Sequence, residues 1–325
     1  MKREKILERF MRYVHGLADV NGGFQASLKH NYLGVADGAV SEIAPAVYAA
    51  EIAQTLDVPL PFLDKTAEFI QVRQHPDGYF RNLAPLPGWP TTSLLLYNTC
   101  VAIRGLKSLG KNPLYDPRPW LDAYVSKMEK PGDYEADFYA NSYAALEDEM
   151  KPDCERKLSD YLLNFQDRDT GWLISAAGYP LFERNNPFTF HAARFFHLAG
   201  KRIPMGEKIA DTFLRVQEND GSWKLGGVHG TFDACVTLRM LFDDESKYRG
   251  AIERAAGWAL TCQQEDGGFN HFGGKAIEGF VDNAPSEMDA CYFHIATLVM
   301  SGNLSAKLEG NNNWIGWGHT LRAAS

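Results

Sequence analysis

The chain is short of several things that would settle its nature at once. Its 325 residues hold no apolar run beyond a handful of residues, far below the roughly 20 that a membrane-spanning helix needs. Cysteine is scarce and unpaired: Cys100, Cys154, Cys235, Cys262 and Cys291 are odd in number and contain no Cys-x-x-Cys spacing. That usage points to a reducing, cytoplasmic setting rather than a disulfide scaffold. Positive charge is in deficit, with 33 Lys and Arg against 41 Asp and Glu, so no basic face is expected for nucleic acid. No apolar stretch follows the charged start MKREKILERFMRY, so no secretory leader is expected. No glycine-rich phosphate loop follows a strand pattern, and GKAIEG lacks the required spacing.

What the sequence does have is a period. Glycine-turn phrases recur as ADVNGGF, RQHPDGYF, MEKPGDY, FQDRDTGW, VQENDGSW and CQQEDGGF, centred on Gly22, Gly78, Gly132, Gly171, Gly221 and Gly267. The intervals are 56, 54, 39, 50 and 46 residues, which predicts six repeating units over the whole chain. Each unit carries a one-sided amphipathic helix before its turn, as in EKIADTFLRVQ, and a more uniformly apolar helix after it, as in TFDACVTLRML. The protein is therefore expected to be all-α, about twelve helices in six pairs. The pairs suit either an open superhelix or a closed ring, with the apolar helices inside.

QENDGSW and QQEDGGF resemble the Gln-Trp repeat of the terpenoid cyclase and protein prenyltransferase superfamily, and the likeness extends from about Asn21 to Met300. The resemblance implies a single (α/α)6 toroid over residues 1–325, with its active-site cavity inside the inner ring. The tail, 304–325, is expected to pack on that ring. In such a repeat the Gln caps backbone groups and the aromatic packs on a neighbouring unit, so Trp172, Trp223 and Phe269 read as structural staples.

Chemistry is expected where the inner helices begin. Aligning their starts places Asn141, His191, Asp233 and Asp289 in one column, with Asp-Ala-Cys repeated at Asp233–Cys235 and Asp289–Cys291. Such groups at the mouths of apolar helices are costly to bury without partners, so they are either caps or the wall of one polar site. As a site, Asp233 would act as base or ligand, Asp289 as its partner and His191 as proton shuttle or third ligand. Asp, His and Cys thiolate are also competent zinc ligands. The resemblance to prenyltransferases implies an Asp-x-Cys pair plus a later His, and here offers Asp233, Cys235, Asp289, Cys291 and His294. The strict set breaks at its third member, since Asp289 stands where the His should. The same cysteines taken singly read equally well as small buried fillers.

A class II cyclase would carry Asp-x-Asp-Asp; the nearest text, GDYEADFYANSY, offers Asp133, Glu135 and Asp137 without matching it. Tyr139, Tyr143, Phe188, Phe190, Phe195, Tyr292 and Phe293 supply aromatics able to steady a cation. Glu42 is a further candidate acid, and His271 is placed to reach the cavity rim. The expected function is an enzyme acting on a small, partly apolar substrate by acid-base or metal-assisted cyclisation, isomerisation or elimination. Competing readings are a non-catalytic binding toroid, a prenyltransferase β-like subunit, for which only Lys224 and His229 or Lys275 could hold a diphosphate, and a carbohydrate-active lyase or hydrolase.

Overall fold

The computed structural model describes residues 3–28, 41–83, 91–173, 185–223, 227–273 and 285–305. Residues 306–325, Lys224, Lys275 and the side chain of Asp133 lie outside the described set, and with them the expected packing of the tail. The described residues form twelve α-helices, a short 3-10 helix (Glu245–Lys247) and isolated β-bridges. Outer helices are α1 (Arg3–Leu17), α3 (Leu63–Gln71), α5 (Arg118–Lys127), α7 (Pro152–Leu163), α9 (Gly206–Val216) and α11 (Arg249–Thr261). Inner helices are α2 (Ala44–Leu56), α4 (Thr91–Ser108), α6 (Asp133–Ala145), α8 (Asn185–Leu198), α10 (Val228–Leu241) and α12 (Met288–Met300). Burial follows the sequence pattern: α3 buries only Thr66, Ala67 and Ile70, whereas α12 buries every residue but Phe293. Each inner helix packs on the next, and α12 returns to α2, so the ring is closed.

The repeated turns are what bind unit to unit. Gln217 donates through Nε2 to Gly221 O (2.9 Å) in its own turn and to Ala251 O (2.8 Å) on the next outer helix. Gln166 spans Gly171 O and Pro204 O, and Gln74 spans Gly78 O and Tyr115 O, in the same way. Only glycine fits the turn itself. Gly221 has φ +96°, and a Cβ there would lie 2.2 Å from Arg254 O. The aromatics act as staples, with Trp172 buried against Phe213 at 4.8 Å and Phe269 facing Phe10 of α1 at 6.2 Å.

The sixth turn finds its next outer helix at the other end of the chain. Gln263 Nε2 donates to Ile6 O (3.0 Å), Arg9 Nη2 donates to Gln264 O (2.5 Å), and Gly267 abuts Arg9 O. Nearby, Tyr13 OH donates to Ser286 O (2.6 Å) and Met288 N–H donates to Ala26 O (2.8 Å). This seam closes the ring.

The third unit departs from the expected pattern. Gly132 is not a turn glycine: with φ −109° it is the N-cap of α6, and no bridging Gln precedes it. Lys157 of α7 supplies the missing link, its ammonium donating to Val125 O (2.9 Å), Ser126 O (3.0 Å) and Met128 O at the end of α5. A cation at a helix C-terminus suits the exposed carbonyls there. No helix of the described residues is long and apolar enough to cross a membrane.

Candidate functional site

The true register of the inner helices is set by one recurring hydrogen bond. The residue after each turn, Phe80, Leu173 or Trp223, donates its backbone N–H to a threonine hydroxyl, that of Thr99, Thr189 or Thr231. In the sixth unit Phe269 N–H finds Cys291 Sγ instead, at 3.2 Å. Cys291 is therefore the equivalent of Thr231, and the repeated Asp-Ala-Cys text is out of step by four residues. Asp289 corresponds to His229, one turn before Asp233. The expected column of Asn141, His191, Asp233 and Asp289 is thereby corrected at Asp289. His191 and Asp233, each two residues beyond its threonine, stay in register, with Asp233 buried on α10. Asn141 and His191 belong to one polar group and Asp289 to another.

The first group centres on Asp137 of α6, which is fully buried. Arg194 of α8 embraces it, donating Nε to Oδ1 at 2.7 Å and Nη2 to Oδ2. Asn141 Nδ2 donates to Oδ1 (2.6 Å), and His191 Nδ1–H donates to Oδ2 (2.5 Å). Burial alone would raise the Asp137 carboxyl, but the charge of Arg194, together with the hydrogen bond from His191, holds it below the usual range. Burial pushes His191 below its ordinary value despite Asp137, so a neutral imidazole donates to an ion pair already formed.

The second group lies between α10, the loop after the sixth turn and the start of α12. His271 Nε2 stands 3.1 Å from Glu287 Oε2 and 3.4 Å from Asp289 Oδ1, all three side chains buried. His229 stacks on His271, ring centroids 5.4 Å apart, and its Nε2 lies 3.6 Å from Asp289 Oδ2, too long for a hydrogen bond. That nitrogen is buried and has no hydrogen-bond partner, although the His229 side chain as a whole is 29% exposed. Burial works against charge on His271, yet Asp289 and Glu287 prevail and raise it to about 10. Burial likewise opposes the Asp289 carboxylate, and the charge of His271 outweighs it and holds Asp289 well below the usual range.

A circuit of aromatic contacts joins the two groups. Tyr48 and Tyr97 share a hydroxyl contact of 3.1 Å, and Tyr97 meets Phe138 at 5.3 Å. Phe138 meets His191 at 6.1 Å, and the neighbouring Phe190 meets Phe232 at 5.9 Å. Phe232 continues to Phe293 at 4.8 Å, and Phe293 returns to Tyr48 at 6.0 Å. All six inner helices contribute. Phe293 also flanks His229 at 4.5 Å, so the second group opens onto this circuit. Tyr292, stacked on Tyr48 at 4.4 Å, accepts a hydrogen bond from Arg104, which is paired with Glu51 at 2.7 Å.

Several expected site residues serve elsewhere. Glu42 pairs with Arg73 at 3.1 Å and accepts from Leu83 N–H, tying a loop to the outer layer. His294 places Nε2 2.9 Å from Asn270 O and faces Trp258 of α11; burial pushes it down to about 3. Tyr139 and Tyr143 both donate to Asp122 of α5. Burial raises both the Cys235 and Cys291 thiols, and Cys291 is committed to Phe269 N–H. The zinc set implied by the prenyltransferase resemblance does not fit: Asp233 and Cys235 share α10 without Asp289 in register. Among the described residues, His229, His271 and Asp289 form the only cluster with metal-ligand geometry. His271 was legible as a rim residue; His229 and Glu287 were not legible as members of its group, because no spacing links them.

No family model and no curated protein matches the chain. Solved structures do. The apo type II terpene cyclase MstE from Scytonema is 14% identical, covers 99% of this chain and 100% of its own, with a TM-score of 0.56. A family 88 glycosyl hydrolase from Bacteroides vulgatus is 16% identical, with coverage of 91% and 98% and a TM-score of 0.55. A family 76 α-mannanase from Bacteroides thetaiotaomicron is 10% identical, with coverage of 93% and 96% and a TM-score of 0.55. Likenesses at this identity speak to architecture, and on that level the closed ring of six helix pairs is the α/α toroid of type II terpene cyclases, a fold that these glycoside hydrolases share.

Proposed function

We propose that the protein is a terpenoid-cyclase-like enzyme acting on a small, partly apolar molecule held against the aromatic circuit. The observation that carries this reading is the buried His271–Glu287–Asp289 group opening through His229 and Phe293 onto that circuit. Aromatic faces favour a developing carbocation, and a carboxylate–imidazole group can give or take the proton that starts or ends its course. Cyclisation, isomerisation and elimination all fit that pairing. In the family of neighbours, a variant of MstE is seen with geranylgeranyl dihydroxybenzoate as substrate. A prenylated aromatic acid is accordingly the first substrate to offer.

Glycoside hydrolysis fits the geometry less well. It needs two carboxyl groups flanking a sugar bond. Here Glu287 and Asp289 both face one nitrogen of His271, with the imidazole between them.

The test is incubation of the full chain with a panel of linear prenyl compounds, including prenylated phenols and prenyl diphosphates, with products separated by gas chromatography and mass spectrometry. Cyclic or isomerised product, lost in Asp289→Asn and in His271→Gln but kept in Glu42→Gln, supports the reading. Turnover of unsaturated or neutral oligosaccharides, with none of any prenyl compound, would overturn it.

A further inference from the structure

We propose that His229, His271 and Asp289 bind a divalent first-row transition ion through two imidazoles and one carboxylate. The three ligand atoms lie within 4.8 Å of one another. A tetrahedral site with bonds of roughly 2.0–2.2 Å sets its ligands about 3.4 Å apart. Two separations already approach that spacing, one imidazole on each oxygen of the same carboxylate: His271 Nε2 to Asp289 Oδ1 at 3.4 Å and His229 Nε2 to Asp289 Oδ2 at 3.6 Å. The widest separation, no more than 4.8 Å, closes by at most about 1.4 Å, and the His229 side chain is 29% exposed.

Two further features point to a cation. His229 Nε2 is a buried polar atom with no hydrogen bond, aimed at a carboxylate it does not quite reach. Such an atom is costly unless something completes its bonding. The group also carries two carboxylates, Glu287 and Asp289, converging on a single ring nitrogen. An ion would take the Nε2 lone pair of His271, whose proton passes to solvent. Glu287, 3.1 Å from the same nitrogen, would stand beside the ion as a base or fourth ligand. Imidazole with carboxylate suits zinc, iron, nickel or cobalt rather than calcium or magnesium. Coordination positions left open would face His229's neighbour Phe293 and so the aromatic circuit. The ion would bind whether or not the lumen turns over a prenyl compound, so the two readings fail separately.

The experiment uses the full chain, purified without chelator and freed of any tag, first analysed for metal and then stripped and titrated with Co2+. One equivalent of Co2+ should raise a visible absorption band, which Zn2+ displaces. His229→Ala should weaken Co2+ binding by at least about tenfold. It is the deciding variant because a partly exposed side chain can be removed without unfolding the ring, which circular dichroism verifies. Cys235→Ser should bind Co2+ as the parent does. Absence of a Co2+ band in the parent, unchanged binding in His229→Ala, or loss of binding in Cys235→Ser would each overturn the assignment.

Discussion

The two buried polar groups of the ring are built from similar residues and are opposite in character. Around Asp137 the charges are matched: one carboxylate, one guanidinium, a neutral His191 and the amide of Asn141, with both carboxylate oxygens doubly engaged. Around His271 they are not: two carboxylates meet one ring nitrogen, and a second imidazole ends in an unsatisfied atom. A saturated ion pair holds helices α6 and α8 in place and has nothing left to offer a substrate. A group with an unsatisfied ring nitrogen on a partly exposed side chain has bonding to spare. Burial and charge are common to both groups; what sets the second apart is an unsatisfied ring nitrogen on a side chain that reaches solvent.

The sharpest way to break this comparison is Asp137→Ala. It strands Arg194 in the interior and should destabilise the fold by about 3–5 kcal/mol, measured by urea unfolding. A loss below about 1 kcal/mol would mean the first group is not the structural one.

The pH dependence of stability should separate the groups next, in metal-free protein. His191 is depressed in the fold, so the unfolded chain accepts a proton that the fold refuses. Its contribution is whole above about pH 6.5 and fades as the pH falls toward the folded value. His271 is raised to about 10, so the fold keeps a proton that the unfolded chain releases. Its contribution is whole below about pH 6.5 and is lost as the pH climbs through the folded value. Urea midpoints across this range should lose acid-side slope in His191→Gln and alkaline-side slope in His271→Gln. Identical slopes in the two variants would erase the distinction.

Smaller effects sharpen it. Asn141→Ala removes the bonds of Nδ2 to Asp137 Oδ1 (2.6 Å) and to Asp137 O (3.1 Å) but also a buried carbonyl oxygen that has no partner, so the net cost should be about 1 kcal/mol. His229→Ala should change stability by no more than about 0.5 kcal/mol, since the ring is partly exposed and its Nε2 bonds to nothing. A cost above about 2 kcal/mol there would make His229 a structural residue like its counterparts in the first group.

The architecture was legible because its determinants are local and repeated. A glycine turn with an aromatic after an amphipathic helix calls for a positive φ and a burial partner, and five of the six turns obey. The exception, Gly132, shares the composition of a turn without the Gln, and the lysine that replaces the link lies on the following helix, where no pattern announces it. The site was less legible for a related reason. Asp-Ala-Cys recurs as text, yet register is fixed by the group that accepts the turn's N–H, and a cysteine fills that role once where threonine fills it three times. Substituting sulfur for a hydroxyl hid the alignment. Arg104 and Arg194, each five residues beyond its threonine, would have been visible once that register was known.

The seam between the sixth turn and α1 bears on more than shape. Glu287 sits between two residues pinned by the first unit, Ser286 through Tyr13 and Met288 through Ala26. The Arg9 bond to Gln264 joins positions 255 residues apart, so this junction carries the largest loop-closure cost in the ring. An arc of helices still open at that junction can hold its turns, its staples and its matched ion pair, and yet leave Glu287 and Asp289 unplaced. Completion of the circle and completion of the His271 group are thus linked, and a molecule that is only nearly folded would lack the site to which the chemistry is assigned.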